Sequence, residues 1–185
     1  MPDFGILLTP APYHLLSFGI LLGTTFFHSF VNGIVQFRTL PRPQFAAVQT
    51  KLFPIYFGLQ TALPVVMALT YPSGGGGRPQ GGIASLASLA APANRFGFFL
   101  PLAAVGLTGL ANLVVLLPAT LECMQERYLQ ERKDGKKSYD PGPHSQAMRD
   151  LNKRFGTLHG VSSLLNLTAF GMTLVYGVAL SARLQ

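Results

Sequence analysis

Gln36-Phe37-Arg38-Thr39-Leu40-Pro41-Arg42-Pro43, running on through Phe45, Gln49 and Lys51 to Pro54 and Phe57, separates two long uncharged runs of this 185-residue chain. Upstream, no Asp, Glu, Lys or Arg occurs between Phe4 and Phe37; downstream, none occurs between Leu52 and Tyr71. Proline fixes its own φ and pushes the preceding residue out of the helical region, so Leu40-Pro41-Arg42-Pro43 reads as a turn between two helices. Arg38, Arg42 and Lys51 mark the points where apolar segments leave and re-enter a low-dielectric medium. The stretch therefore reads as a membrane hairpin.

Composition agrees. The chain is 49% hydrophobic and 11% charged, against roughly 25% charged in an ordinary soluble domain. Its net charge of +7 sits at the ends of apolar runs and not on one aromatic-interleaved patch, which argues for membrane orientation and against nucleic-acid binding. Cys123 is the only cysteine, so no intramolecular disulfide forms, and beside Met124 it reads as packing. Acidic Asp3 at the start and the length of the first apolar run argue for a retained helix, not a cleaved leader.

A bilayer core of about 30 Å takes about 20 helical residues. On that measure the chain reads as an all-α polytopic membrane protein, one domain over 1–185. Four transmembrane helices are expected at about 13–37, 52–71, 96–117 and 155–180, the third extending in water to about 133. Pro43 opens a short amphipathic piece whose Phe45, Val48 and Leu52 share a face, expected at the interface. Pro64 should kink the second helix and free a carbonyl near Gln60. The loop at 72–95 carries a glycine run, Gly74 to Gly77, that lacks the Lys-Ser/Thr and strand of a phosphate cradle, and a low-complexity Ser85-Leu86-Ala87-Ser88-Leu89-Ala90 repeat expected to form a surface half-turn of helix. Arg127 and Glu131 stand as an i,i+4 pair, with Asp134-Gly135 as the stop. The polar extensions on either side of the 134–145 loop are expected to pair outside the membrane, with Glu122 and Glu126 near Arg149, Lys153 and Arg154.

The loops 38–51 and 118–154 hold eleven Lys and Arg, against three (Arg78, Arg95, Arg183) at the other end. By the excess of positive charge on cytosolic loops, both basic loops face the cytosol and both termini lie opposite. An endoplasmic-reticulum or other secretory membrane is the first expectation for location, the mitochondrial outer membrane the second.

Polar residues inside the spans need protein or cavity partners. Thr25, His28, Asn32 and Gln36 form a stripe on the first helix; Asn152, Gly156, His159, Ser163, Asn166 and Phe170 form a seam on the fourth. Gly19 with Gly23, and Gly156 with Gly160, have the small-xxx-small spacing of close helix packing. The simplest arrangement joins the two seams, with Thr108 and Asn112 of the third helix beside them. Polar glue between helices is the plainer reading, and a solute path through His28, Asn32, Gln36, His159, Ser163 and Asn166 the sharper one. Two histidines without a cysteine or carboxylate at matching depth do not make a metal site. Ser162 and Ser163 near His159 lack an orienting group, and Asn166-Leu167-Thr168 lies inside an apolar helix, so neither a hydrolase nor a glycosylation site is expected. No catalytic residue, metal or cofactor is assigned.

Phe37-Arg38-x-Leu40-Pro41-Arg42, Phe45, Gln49-Thr50-Lys51-Leu52-Phe53-Pro54-x-Tyr56-Phe57 and, far downstream, Arg154-Phe155 with His159-Gly160-x-Ser162-Ser163-Leu164-x-Asn166-Leu167 resemble the transmembrane protein 205 family. A looser likeness covers Asn112 through Pro118 to Arg132, while the glycine-rich loop at 74–82 departs from the pattern. The resemblance implies four transmembrane helices, a role in membrane traffic or in tolerance to toxic compounds, and no catalytic residue. Together these readings point to a non-enzymatic accessory or scaffold protein. Its expected contacts are the bilayer, other membrane proteins or itself, with Arg38, Arg42 and Lys51 holding lipid phosphate or an acidic partner. The alternative is a small-solute, drug or metal carrier using a polar seam between the first and fourth helices.

Overall fold

The computed structural model describes residues 4–72 and 81–183. Asp3, the glycine run Gly74–Gly77 and Arg78 lie outside the described residues. A single 3-10 turn, Phe4–Leu8, leads into α1 (Pro10–Thr39), followed by α2 (Arg42–Leu69), the short α3 (Ile83–Ala90), α4 (Pro92–Asp134) and α5 (Gln146–Ser181). Among the described residues there is no strand. All but α3 are long and apolar enough to cross a membrane. In lipid every backbone polar group must be satisfied within its own segment, so helix is the form these uncharged runs take.

The helices are longer than the apolar runs alone suggest. Pro41 caps α2 from an extended backbone and Pro43 sits in its first turn, so the amphipathic piece at 43–52 is the first part of α2 and not a separate interfacial helix. α2 stays helical through Pro54 and Pro64. α5 starts at the N-cap Ser145, whose hydroxyl accepts from the Met148 N–H. Gly135, at φ 63°, ends α4 in a left-handed cap. Ile83–Ala90 forms two turns of helix with Ser85 and Leu89 buried.

Three wide π-helical turns interrupt the regular winding: Phe27–Asn32 in α1, and Arg95–Phe99 and Asn112–Leu116 in α4. The two in α4 each precede a proline, Pro101 and Pro118. A proline lacks an N–H and clashes with the carbonyl four residues earlier; here those carbonyls, on Gly97 and Val114, fall inside the widened turns.

The bundle is an antiparallel ring in which α2 packs between α1 and α4, and α5 between α4 and α1. The hydrophobic core fills the half away from the basic loops, with Leu21, Met67, Phe98, Leu102, Val105, Ala169 and Tyr176 among its members. Both basic loops lie at the opposite end: Gln36 of α1 meets Gln49 of α2 there, and Glu122 and Glu126 of α4 meet Arg154 of α5.

Candidate functional site

The stripe on α1 faces α2. The Asn32 amide lies 3.1 Å from His28 Nδ1, Gln36 Nε2 donates to Asn32 Oδ1 at 2.6 Å, and Gln49 Nε2 donates to Gln36 Oε1 at 3.0 Å. An amide N–H donor to Nδ1 leaves the His28 ring proton on Nε2. The imidazole packs 4.3 Å from the Tyr56 ring and edge-on to Phe53 at 5.1 Å. A ladder of side chains thus climbs from the basic end into the bundle.

The seam on α5 does not join this ladder. Asn152 accepts from Arg127 Nε at 3.0 Å and donates to the Ser138 carbonyl. His159 stacks on Phe155, and both His159 and Ser163 are exposed on the outside of the chain. α1 and α5 meet through rings instead: Phe26 and Phe30 on Phe170, and Phe18 on Tyr176. The physical reason is side-chain bulk, since the aromatic residues of α1 hold α5 away from the polar face of α1 while α2 offers Gln49, Phe53 and Tyr56 to it. Nor do Gly19, Gly23, Gly156 and Gly160 meet another helix; nothing lies within 4 Å of where their Cβ atoms would stand. Close approach falls at Gly109, where a Cβ would sit 2.9 Å from the Gln60 carbonyl carbon. Gln60 is the residue whose carbonyl Pro64 frees, and the bare glycine of α4 covers it.

Above the ladder, at the centre of the bundle, polar groups gather. Gln60 Nε2 donates to the Tyr56 hydroxyl at 3.3 Å, but Gln60 Oε1 is unpartnered. The Thr25 and Ser29 hydroxyls also turn toward the Tyr56 hydroxyl, so these four side chains form one polar cluster. Asn112 follows Gly109 by one turn of α4, is 0% exposed, and has both Oδ1 and Nδ2 unpartnered. Its wide turn, Asn112–Leu116, touches both α2 and α5, and on α5 the Asn166 Oδ1 is also buried and unpartnered. A buried, unmet amide or hydroxyl costs about 1–3 kcal/mol, so this is an expensive centre for a bundle that needed only packing.

A second polar group closes the far end. His14 bonds Tyr176 through Nε2 (2.7 Å) and Thr70 through Nδ1 (3.2 Å), while Arg183 donates to Asn94 Oδ1 at 2.6 Å and lies over the rings of Phe98 and Tyr71. Sequence reasoning passed over His14. The available signal was the extension of the α1 stripe backwards, since His14, Ser17, Leu21 and Thr25 are all buried on one face.

At the basic end the α4 extension and the start of α5 form an antiparallel hairpin. Arg154 bridges Glu126 (2.8 Å) and Glu122 (3.3 Å), and the Cys123 thiol points at the Leu151 carbonyl. Of the other cations expected there, Arg149 turns back to the His144 carbonyl and Gln146. Glu131 is engaged by its own loop: the Ser138 hydroxyl and N–H donate to Oε1, and Lys137 pairs with Oε2. Burial opposes ionisation of Glu131, yet the bonds from Ser138 and Lys137 prevail and hold its carboxyl below the usual range. Arg38, Arg42 and Lys51 are exposed, Arg42 with its guanidinium 3.8 Å above the Phe37 ring. Among the described residues no three His, Cys, Asp or Glu side chains gather as a metal site.

Residues 16–129 match the family model described as "Domain of unknown function (DUF4149)". The chain is also 35% identical, over 94% of its length and 90% of the relative's, to "Xanthocillin biosynthesis cluster protein D" of Aspergillus fumigatus. No solved structure matches.

Proposed function

The chain belongs to the DUF4149 family, and on that footing we propose that it is a non-enzymatic accessory or scaffold component of a membrane complex. The observation that carries this reading is the basic end of the bundle, where a structured hairpin and three exposed cations stand together. Arg38, Arg42 and Lys51 are free to hold lipid phosphate or an acidic partner. The hairpin beyond the apolar span also exposes Tyr128, Leu129 and Tyr139, at 56%, 48% and 48%, which suits contact with protein. The relative named for a biosynthetic cluster is consistent with service to enzymes encoded beside it. The likeness to the transmembrane protein 205 family adds membrane traffic as the setting, and a secretory-pathway membrane, with the basic end in the cytosol, as the place.

The test is native mass spectrometry of the protein extracted gently from its own membrane, beside a variant carrying Arg38→Gln, Arg42→Gln and Lys51→Gln. The expected result is a stoichiometric complex with larger chains that the triple variant loses while its thermal unfolding is unchanged. A triple variant that retains the complex, or a wild type found alone, overturns the reading.

A further inference from the structure

The outer face of α5 carries an open cavity at the level where the chain leaves its uncharged span. Asp150, Lys153, Arg154, Thr157 and Leu158 line a space of about 340 Å³, within the range of about 300–1,000 Å³ common to ligand sites. At positions i, i+3, i+4, i+7 and i+8 they share one face of the helix, away from the side on which Met148 is buried and Asn152 and Phe155 meet Arg127 of α4. All but Leu158 are exposed, so a ligand can reach them. The Lys153 ammonium has no hydrogen bond or ion pair among the described residues, while the Thr157 hydroxyl turns back to the Lys153 carbonyl at 3.1 Å. Arg154 is already bridged to Glu122 and Glu126. Asp150 has only Oδ1 engaged, by the Gln146 amide at 2.9 Å.

We propose that this cavity holds the headgroup of a zwitterionic aminophospholipid, of the chemistry of phosphatidylethanolamine. Along α5 the lining changes in the order in which such a lipid changes. Leu158 lies inside the uncharged run 155–180 and meets the start of an acyl chain. Lys153, at the edge of that run, donates to the phosphate. Asp150, one turn farther into water, accepts from the ammonium. The step from Lys153 to Asp150 rises about 4.5 Å along the axis, a separation that the two-carbon link between phosphate and ammonium spans. A primary ammonium brings three N–H donors to the Asp150 carboxylate, whereas a trimethylammonium brings none. A headgroup with a net negative charge is selected against, because Glu122 and Glu126 already neutralise Arg154 and Asp150 repels a further anion. Leu158 and the position at the edge of the span assign the ligand to the bilayer and not to a free phosphate ester.

The test uses the full chain in detergent, supplied with phosphatidylethanolamine, phosphatidylcholine or phosphatidylglycerol of the same acyl chains, and reads the retained lipid by native mass spectrometry. The ethanolamine lipid should be retained saturably and about tenfold more tightly than either of the others. Lys153→Gln should weaken it about tenfold. Asp150→Asn, which keeps an acceptor for Gln146, should remove the preference over the choline lipid while retention of the choline lipid is unchanged. Both positions are exposed, so the thermal midpoints of the two variants should match the wild type. Free O-phosphoethanolamine at the same concentration should not displace the lipid. Equal retention of the three lipids, tighter retention of the glycerol lipid, a preference that survives both substitutions, or displacement by the free ester overturns the proposal. The Arg38, Arg42 and Lys51 triple variant should keep the ethanolamine preference, so this site and the accessory role fail or survive separately.

Discussion

Gly109 is where the bundle is least forgiving. A methyl group there would stand 2.9 Å from the carbonyl carbon and 3.1 Å from the oxygen of Gln60, and backbone cannot swing aside as a side chain can. Gly109→Ala should therefore push α2 and α4 apart and cost about 1–3 kcal/mol, read as a lower thermal midpoint. Gly156→Ala, with nothing within 4 Å, should change the stability of the single chain by no more than about 0.5 kcal/mol. Equal effects from the two would contradict the packing described. Spacing alone singled out Gly19, Gly23, Gly156 and Gly160, because four-residue repeats of small residues are visible in a sequence. A lone glycine opposite a proline-freed carbonyl on another helix is not, since nothing in either segment names its neighbour.

At the scale of the element, the turn between α4 and α5 is clasped by one carboxylate. The folded-state pKa of Glu131 is depressed, so its contribution is fully present above the ordinary carboxylate value of about 4.3 and is lost as pH falls through the lower folded value. Amide exchange at Ser138, whose N–H donates to Glu131 at 3.0 Å, should lose protection on going from about pH 6 to about pH 3, relative to a Glu131→Gln control. Protection in wild type that follows the control at every pH would refute the clasp. The hairpin itself was legible: uncharged segments that turn into charged helix on both sides of a short loop leave little choice but to pair. Its detail was not. Arg127 with Glu131 satisfies the i,i+4 rule, yet the bonds go to Asn152 and Ser138 instead, because longer-range partners hold the two side chains in better geometry. The polar stripes were likewise visible as stripes. Their partners depended on where Phe26, Phe30 and Phe170 would hold α1 and α5 apart.

For the whole molecule, the antiparallel ring requires Gln44 and Tyr139 to be on one side of the membrane and Ala93 on the other. On a Cys123→Ala background, Gln44→Cys and Tyr139→Cys should react with an impermeant maleimide only when the cytosolic face is open, and Ala93→Cys only from the opposite face. Labelling of Gln44→Cys and Tyr139→Cys from different faces would break the fold; labelling of both from the non-cytosolic face would reverse the orientation read from the eleven and three basic residues.

The sequence by itself determined that this is a helical protein with four apolar spans and its basic loops at one end. Lipid leaves an uncharged run of about 20 residues no backbone solution except helix, and an even number of short-looped crossings puts alternate loops together. Only the tertiary structure decided which faces meet: that the α1 stripe bonds α2, that Gly109 rests on the backbone of Gln60, and that Gln60 and Asn112 are buried with unmet polar atoms. Periodicity reports which residues share a face of a helix, but the rotation of each helix against its neighbours is set by the bulk of every side chain in the ring at once.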